Sequence, residues 1–328
     1  MVFGPIGAEG QRKLTQASVL IVGCGALGST AAELLSRAGV GTLKIVDRDF
    51  VELSNLPRQA LFDTHDAQQV LPKAEAARRK LAHINPDVAL EAVVDDVTPR
   101  NVLALAHGVD LILDGTDNAE TRYLLNDAAI ELGLPWIYGG AVGSSGAIMV
   151  IVPGRTACLR CLFREPPPPG ALPTCDTEGI IGPAPHAVAS LQAAECLKLL
   201  VAGPPDQARL TFLDVWGRSF RTLAVDISDD CPACVNKDLR FLRAAGSGAV
   251  ALCGRDAVQV SPPRAAHIDL DALARRLRLL GEAQHNDFLL TFTLPGHRMH
   301  IFPDGRAIIK GTTDLAKARS LYARYVGS

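Results

Sequence analysis

The sequence predicts an α/β protein in which a doubly wound, mostly parallel sheet is followed by a small α+β domain. Two apolar runs typical of strands buried on both faces, Ser18–Val22 and Asp110–Asp114, are each followed by a helix-like stretch. A loop with three glycines, Gly23–Gly28, comes directly after the first run. After the Gly-Ser-Gly sequence at 246–248, a second series of short strand and helix patterns begins. We therefore expect two domains, residues 1–245 and 246–328.

The first 245 residues alternate strand and helix patterns in the order that gives parallel strands. The predicted strands are Ser18–Val22, Leu43–Val46, Asp110–Asp114, Trp136–Tyr138, Ala147–Val152, Arg209–Leu213 and Phe220–Val225. The predicted helices run from Ser29 up to Gly39 and over Ala74–Ile84, Glu120–Leu132 and His186–Val201. Glycine or proline follows each of them closely, as expected at helix ends. Four prolines at 166–169 predict a loop over Arg164–Pro173.

The C-terminal stretch has its own compact pattern. The predicted elements are strand Ala249–Cys253, helix Asp269–Leu280, strands Leu289–Leu294, Arg298–Phe302 and Ala307–Lys310, and helix Asp314–Tyr325. In the first helix, Leu270, Leu273, Leu277 and Leu280 recur at helical spacing. We expect this apolar face to point into the core of the domain.

Composition excludes several classes of protein. With 48% hydrophobic and 21% charged residues among 328, the chain is neither disordered, collagen-like nor a coiled coil. The 33 basic and 35 acidic residues give a net charge of −2, which argues against a broad nucleic-acid or anionic membrane surface. No apolar run approaches the ~20 residues of a membrane span, and the N-terminal residues lack a secretory pattern. We expect a cytoplasmic protein with neither membrane nor nucleic acid as partner.

The glycine loop predicts a nucleotide site. Gly23, Gly25 and Gly28 lie between a predicted strand and a predicted helix, where backbone N–H groups can approach a phosphate. Asp47 ends the second strand, 19 residues beyond Gly28, where its carboxylate could accept hydrogen bonds from ribose hydroxyls. The alternative is a glycine turn without a ligand. The motif alone does not distinguish a dinucleotide cofactor from ATP.

Polar and basic residues after Asp47 favour ATP. Asn55, Arg58 and Gln59 follow the second strand, and Lys73 comes shortly after them. Cations beside a phosphate loop suit a triphosphate, whose charge must be neutralised during phosphoryl chemistry, whereas a dehydrogenase needs a neutral nicotinamide pocket. The alternative for Arg58 and Lys73 is ordinary solvated surface charge.

A second acidic turn, Asp114–Asn118, follows another predicted strand. Ligands of open parallel sheets lie beyond the carboxyl ends of the strands, so Asp117 could hold Mg²⁺ there. The alternative is a helix cap, because Asp117 or Asn118 would cap the helix that follows.

The eight cysteines include two Cys-x-x-Cys pairs. Cys158 with Cys161, and Cys231 with Cys234, are separated by 69 residues. Two such pairs predict a structural Zn²⁺ site with four thiolate ligands, which leaves no open position for catalysis. A disulfide or redox pair is the alternative. Cys24, Cys196 and Cys253 are expected to be packing residues.

These motifs together resemble the ThiF/MoeB-type adenylyltransferase family, which is related to the ubiquitin-activating enzymes. The resemblance covers about Phe3 to Cys234. The C-terminal tail of the chain also resembles the C-terminal extension of some ThiF-type members. The matching segments are Gly23–Ser29, Ala38–Gly41, Ile45–Asp49, Val51–Gln59, Pro72–Lys73, Asp114–Asn118 and Thr174–Gly182. The run Val51–Gln59 is the most specific of them.

The resemblance implies a Rossmann-like fold and a defined reaction. The C-terminal Gly-Gly carboxylate of a ubiquitin-like sulfur-carrier protein attacks the α-phosphate of ATP, giving an acyl-adenylate and pyrophosphate. A sulfur donor of cysteine desulfurase or rhodanese type then provides sulfur for a thiocarboxylate. An α-carboxylate has a pKa of ~3.5, so no general base is required at pH 7. The family also implies a zinc-containing homodimer.

The resemblance also implies roles for individual residues. Asp117 would hold Mg²⁺. Cys175 could form a covalent link to the carrier, with an unreactive loop thiol as the alternative. Together with Arg58 and Lys73, these two residues form the expected catalytic set. The expected ATP-binding residues are Gly23, Gly25, Gly28, Asp47, Asp49, Asn55, Arg58, Gln59 and Lys73. One departure concerns the N-terminal Arg-Tyr-x-Arg-Gln segment of the family, whose arginine generally serves the partner subunit's ATP site. Here Met1-Val-Phe and then Gly7–Gln11 contain no such arginine.

Two other functions remain compatible with the residues themselves. An NAD-dependent oxidoreductase would share the glycine loop and Asp47, but would leave Arg58, Lys73 and the four zinc thiolates unexplained. A non-catalytic scaffold that binds a ubiquitin-like partner would agree with the missing N-terminal arginine. The sequence does not distinguish thiamine, molybdopterin and tRNA thiolation pathways.

Overall fold

The structure is a computed structural model that describes residues 3–168, 178–244, 249–252, 256–262 and 267–327, with backbone alone for 249–252. The chain divides into two compact units, Met1–Ala245 and Gly246–Ser328. Cys175, Cys253 and the Gly-Ser-Gly stretch at 246–248 lie outside the described residues, as does the end of the predicted loop at 169–173.

The first unit is built on an eight-stranded sheet. Its strands are β1 Ser18–Val22, β2 Thr42–Val46, β3 Ala89–Val93, β4 Leu111–Asp114, β5 Trp136–Val142, β6 Ser145–Ile151, β7 Ala208–Asp214 and β8 Ser219–Val225. Their order in the sheet is β3-β2-β1-β4-β5-β6-β7-β8. The strands from β3 to β5 in this order are parallel, and β6, β7 and β8 each pair antiparallel to the preceding strand. The predicted doubly wound, mostly parallel fold is confirmed.

The helices of this unit form two groups, one on each side of the sheet. The main helix–helix contacts lie within each group. The α-helices are α1 Gly7–Gln16, α2 Ala26–Arg37, α3 Thr64–Gln68, α4 Lys73–Ile84, α5 Val102–Leu105, α6 Ala119–Leu132, α7 Leu159–Leu162, α8 Pro183–Ala202 and α9 Arg240–Arg243, and a 3₁₀ helix covers Leu53–Asn55. Helices α1, α2, α4 and α8 form one group, and α5, α6, α7 and α9 form the other. This arrangement places every β-to-α turn of the parallel half at the carboxyl edge of the sheet.

The central strands form because their apolar runs are covered on both faces. Val19, Leu20 and Ile21 of β1 and Leu111 and Ile112 of β4 are fully buried. In contrast, β3 is an edge strand with half-buried and exposed residues, including Glu91. It lacks the apolar run of a central strand, which is why the sequence patterns missed it.

The second unit is a six-stranded antiparallel sheet with two helices. Its elements are β9 Ala249–Leu252, β10 Ala257–Val260, α10 Leu270–Leu277, β11 Glu282–His285, β12 Leu290–Leu294, β13 His297–Ile301, β14 Ala307–Lys310 and α11 Leu315–Tyr325. The strand order is β11-β12-β13-β14-β10-β9. Its core packs Leu273 and Leu277 of α10 and Tyr322 of α11 against one face of the sheet.

The prediction for α10 was partly wrong. Leu273 and Leu277 are buried as expected, but Leu280 is 62% exposed because the helix ends at Leu277. A turn over Leu277–Gly281 follows, and it breaks the helical spacing on which the prediction depended.

In the part of the chain that the structure describes, no helix combines the length and the apolar character that a membrane crossing requires.

Candidate functional site

The glycine loop is closely packed on one side and open on the other. A Cβ at Gly28 would lie 1.8 Å from the carbonyl oxygen of Gly23, and a Cβ at Gly115 would lie 2.3 Å from the same atom. At Gly25, the nearest neighbour would be Nε2 of Gln59, at 3.8 Å. Gly25 precedes α2 and has no side chain to cap it, so an anion can approach the first N–H groups of this helix.

Asp47 holds the glycine loop in place. One carboxylate oxygen accepts a hydrogen bond from the backbone N–H of Cys24 at 2.6 Å, and the other accepts from that of Asp49 at 2.7 Å. Burial raises the pKa of Asp47, an effect that the nearby Lys73 ammonium opposes. Each oxygen keeps a second lone pair that could accept a hydrogen bond from a hydroxyl, and the contact with ribose stays a prediction.

Lys73 is a buried charge beside this loop. Its side chain is 2% exposed, and Nζ lies 3.3 Å from a carboxylate oxygen of Asp49. Its backbone N–H donates to the Asp49 carbonyl at 2.9 Å, which fixes the start of α4. Burial raises the pKa values of Cys24 and Asp47, and the positive charge of the Lys73 ammonium opposes both rises, an effect that operates over short distances in the interior. Solvated surface charge, the alternative for Lys73, is therefore wrong.

Three more predicted residues lie in the turn after β2. The Asn55 side chain is buried, and its Oδ1 accepts from the N–H of Glu52 at 3.3 Å. Gln59 is 4% exposed, and its Oε1 has no hydrogen-bond partner among the described residues. Arg58 is half-buried and donates to the Ser54 carbonyl at 3.0 Å. A buried acceptor without a partner can receive a hydrogen bond from a bound ligand.

The turn after β4 separates two neighbouring polar residues. Asn118 caps α6, because its Oδ1 accepts from the N–H of Thr121 at 2.9 Å. Asp117 does not cap the helix and is exposed at the carboxyl edge of the sheet. Its carboxylate oxygens are hard ligands of the kind that Mg²⁺ prefers. The magnesium site stays a prediction.

Beneath this turn lies a polar network that the sequence reasoning missed. Asp114 is fully buried, and Arg122 donates to its carboxylate through Nε at 3.2 Å. Gln192 of α8 donates to the Asp114 carbonyl at 2.7 Å. A glutamine next to the apolar stripe of α8 was the available signal, because a buried amide needs a partner.

The four paired cysteines meet in one cluster. Their Sγ atoms all lie within 4.8 Å of one another. Cys158 and Cys231 are 3.5 Å apart, Cys161 and Cys234 are 3.5 Å apart, and Cys158 and Cys161 are 3.8 Å apart. A tetrahedral zinc site with Zn–S bonds of about 2.3 Å requires sulfurs about 3.8 Å apart. The cluster can therefore hold a metal ion such as zinc.

Arg160 lies between the cysteines of the first pair and is fully buried. It donates to the carbonyl of Asp238 at 2.6 Å and to that of Arg164 at 3.2 Å. These bonds join the turn of the first cysteine pair to the segment after the second pair. Of the other cysteines that the structure describes, Cys24 and Cys196 are buried packing residues as expected.

Comparison with known proteins decides the family. The sequence pattern of the ThiF family matches residues 1–233. This chain belongs to the ThiF family. It is 45% identical to the sulfur carrier protein ThiS adenylyltransferase of Bacillus subtilis, over 99% of this chain and 97% of that protein. The protein of the same name from Escherichia coli is 38% identical over 71% of this chain and 92% of its own.

Solved structures show the same fold. A crystal structure of Escherichia coli MccB with MccA-N7isoASN superimposes with a TM-score of 0.61 at 22% identity, over 69% of each chain. At this identity the likeness concerns the fold alone. The resemblance that the sequence motifs predicted is therefore confirmed at the level of family and fold.

The ThiF-family sheet ends in an exposed apolar strand that the sequence reasoning did not single out. In β8 and the turn before it, Trp216 is 80% exposed, Phe220 62% and Leu223 56%. The strand pairing places this turn at the same edge of the sheet as the carboxyl ends of β1 and β4, because β6, β7 and β8 alternate in direction. Such an edge can accept a further strand or another protein surface.

Proposed function

We propose that this chain adenylates the C-terminal Gly-Gly carboxylate of a ubiquitin-like sulfur-carrier protein, using ATP. Membership of the ThiF family and 45% identity to a sulfur-carrier adenylyltransferase support the proposal. The structural observation that carries it is the Lys73 ammonium, which is held with 2% exposure beside a glycine loop that opens toward a helix N-terminus.

The reaction follows from the chemistry of these groups. A carrier carboxylate oxygen forms a bond to the α-phosphorus of ATP while the bond to the bridging oxygen breaks and pyrophosphate leaves. Backbone N–H groups at the start of α2 bind phosphate oxygens, and Lys73 and Arg58 neutralise the charge of the departing pyrophosphate. The carboxylate is already ionised at neutral pH, so the site requires no general base.

The remaining ligands are assigned by position. Asp47 binds ribose while it accepts the hydrogen bond from the Cys24 amide, and Asp49, Asn55 and Gln59 bind the nucleotide. Asp117 holds Mg²⁺, which supplies charge neutralisation at the phosphates when bound. Its exposed carboxylate at the carboxyl edge of the sheet supports this assignment.

The exposed edge of the sheet supports a place for the carrier. A carrier must put its flexible C-terminal tail into the nucleotide site while its folded part rests nearby. Trp216 and Phe220 lie at the same edge of the sheet as the glycine loop and offer an uncovered apolar surface. We infer that a sulfur-carrier protein docks against these residues and β8.

Several sequence predictions belong to this proposal. The tetracysteine cluster binds structural zinc, the chain forms a cytoplasmic homodimer, and a cysteine desulfurase or rhodanese-type protein donates sulfur. Cys175 links covalently to the carrier during sulfur transfer. The partner pathway is thiamine, molybdopterin or tRNA thiolation.

Exchange of labelled pyrophosphate into ATP tests the proposal. With the ThiS carrier of Bacillus subtilis as probe, we expect exchange that depends on both the protein and the carrier. A carrier shortened by its last glycine serves as the control and should support none. Exchange at the same rate with and without the carrier would contradict the proposal. A change in nicotinamide absorbance instead of exchange would favour an oxidoreductase.

A further inference from the structure

Arg122 is a half-buried arginine next to the proposed nucleotide site, and the sequence motifs gave it no role. It lies on α6, one turn after the cap residue Asn118. Its Nε donates to Asp114 at 3.2 Å, and its Nη2 donates to the carbonyls of Thr116 at 2.8 Å and Gly139 at 3.0 Å. One guanidinium group therefore ties the turn after β4 to strand β5.

The partners of Arg122 are themselves fixed. The Asp114 carboxylate accepts hydrogen bonds from the backbone N–H of Thr116 at 2.9 Å and from its hydroxyl at 2.6 Å. Burial raises the pKa of Asp114, and the positive charge of Arg122 opposes this rise. An ionised Asp114 in this place needs Arg122 nearby, because an unpaired buried charge is strongly disfavoured.

The turn held in this way also contacts the glycine loop. Gly115 lies so close to Gly23 and Gly28 that a Cβ on it would fall within 3.0 Å of atoms in both. The backbone N–H of Gly115 donates to the carbonyl of Val22 at 2.8 Å. A shift of the turn would therefore move Asp117 relative to the phosphate-binding loop.

We propose that Arg122 is a positioning residue: its three-point contact with Asp114, Thr116 and Gly139 sets the place of the Asp117 carboxylate, and through it the affinity for the divalent cation that accompanies ATP. This inference rests on the proposed function. Arg122 itself contacts neither nucleotide nor metal in it. This role requires the planar guanidinium group of Arg122, because a lysine keeps the charge but cannot make the same set of hydrogen bonds.

A double-mutant cycle on cation binding tests the inference. The single variants are Arg122→Lys and Asp117→Asn, and the third variant combines them. The measurement is the Mn²⁺ affinity of protein saturated with α,β-methylene ATP, followed by the electron paramagnetic resonance signal of free Mn²⁺. We expect each single variant to weaken Mn²⁺ binding about tenfold, in line with other residues that orient metal ligands. The double variant should bind no more weakly than Asp117→Asn alone.

Two further proteins separate positioning from simple loss of folding. Asp114→Asn with Arg122→Met removes both charges of this pair, so it avoids the unpaired buried carboxylate while still releasing the turn. It should keep a cooperative thermal transition and show the same tenfold weakening. Arg37→Lys, in an exposed pair with Glu33 on α2, is the matched control and should leave Mn²⁺ binding unchanged.

The outcomes are distinguishable. Unchanged Mn²⁺ affinity in Arg122→Lys, or effects of Arg122→Lys and Asp117→Asn that simply add, would overturn the positioning role. An Asp117→Asn variant with normal affinity would overturn it too, because Asp117 would not be the ligand. If the cycle behaves as expected while carrier-dependent exchange is absent, the proposed function fails and the role of Arg122 stands.

Discussion

The two ends of the eight-stranded sheet differ in how they present residues to a partner. In the parallel half, β1 and β4 are buried on both faces, and their carboxyl ends carry the glycine loop and the Asp114–Asn118 turn. At the antiparallel end, every residue of β8 except half-buried Val225 is exposed. The parallel half therefore holds polar groups in the buried interior, whereas the antiparallel end presents an uncovered surface.

This difference corresponds to the two substrates of the proposed reaction. A nucleotide is small and highly charged, so it requires groups such as Lys73 and Gln59 that are held in place before it binds. A carrier protein is large and binds through exposed apolar area with a backbone edge. The turn before β8 and the glycine loop share one edge of the sheet, as the proposed reaction requires if a docked carrier is to extend its tail to the nucleotide.

The tetracysteine cluster braces the antiparallel end. Cys158 and Cys161 follow β6, and Cys231 and Cys234 follow β8. All four sulfurs belong to or pack against a core that includes residues of β1, β2 and β4 to β7. Because the two cysteine pairs follow β6 and β8, metal binding should stabilise the exposed end of the sheet more than the parallel half.

Loss of this metal has the largest expected effect. Cys231→Ser should abolish stoichiometric zinc, because three thiolates and a hydroxyl do not hold the ion tightly, and structural zinc contributes on the order of 10 kcal/mol to small sites. Hydrogen exchange should show protection lost first in β7 and β8, while β1 and β4 stay protected. Zinc content is measured by atomic absorption. Cys196→Ala, at a buried cysteine outside the cluster, should keep full zinc. Equal loss of protection in both halves would contradict the comparison.

The second largest effect is expected from removal of the buried Lys73 ammonium. Lys73→Met should lower the rate of pyrophosphate exchange about 10³-fold, because the charge acts in a site shielded from water. The carrier KM should change little, since Lys73 begins α4, which packs on β2 and β3 at the opposite end of the sheet from β8. The matched control is Lys44→Met, at a half-buried lysine in β2 that pairs with Glu91. Similar losses in both variants would show that the effect is structural rather than local.

The parts of the site that are local in sequence could be predicted. The glycine loop, the turn Asp114–Asn118 and the two cysteine pairs each depend on a few residues at fixed spacing, and the fold brings the four cysteines together as expected. Chain direction also made the edge of the sheet predictable, because β-to-α turns of parallel strands gather there. The roles of the individual nucleotide-site residues, the magnesium site, the presence of zinc in the cysteine cluster and the role of Cys175 stay predictions.

What the sequence did not reveal depends on contacts between distant segments. Arg122 and Gln192 meet Asp114 from different helices, and no spacing in the sequence relates them. Asp47 was expected to face a ligand, but its oxygens also accept from the Cys24 and Asp49 amides. The sequence predicted the two strands of the β7–β8 hairpin. It did not predict the exposure of β8, because apolar residues in a strand usually indicate that the strand is buried. That β8 has no neighbour beyond it among the described strands is a property of the whole sheet.

The smallest expected effect concerns the exposed edge. Trp216→Ser with Phe220→Ser should raise the carrier KM in the exchange reaction about tenfold, because exposed aromatic residues contribute strongly to protein interfaces. The ATP KM and the thermal transition should stay unchanged, since both side chains are largely exposed in the free protein. Leu279→Ser, at an 85% exposed leucine of the second unit, is the matched control and should bind the carrier normally. A normal carrier KM in the double variant would mean that the antiparallel end is only the border of the sheet, and the proposed division between a nucleotide end and a protein-binding end would be lost.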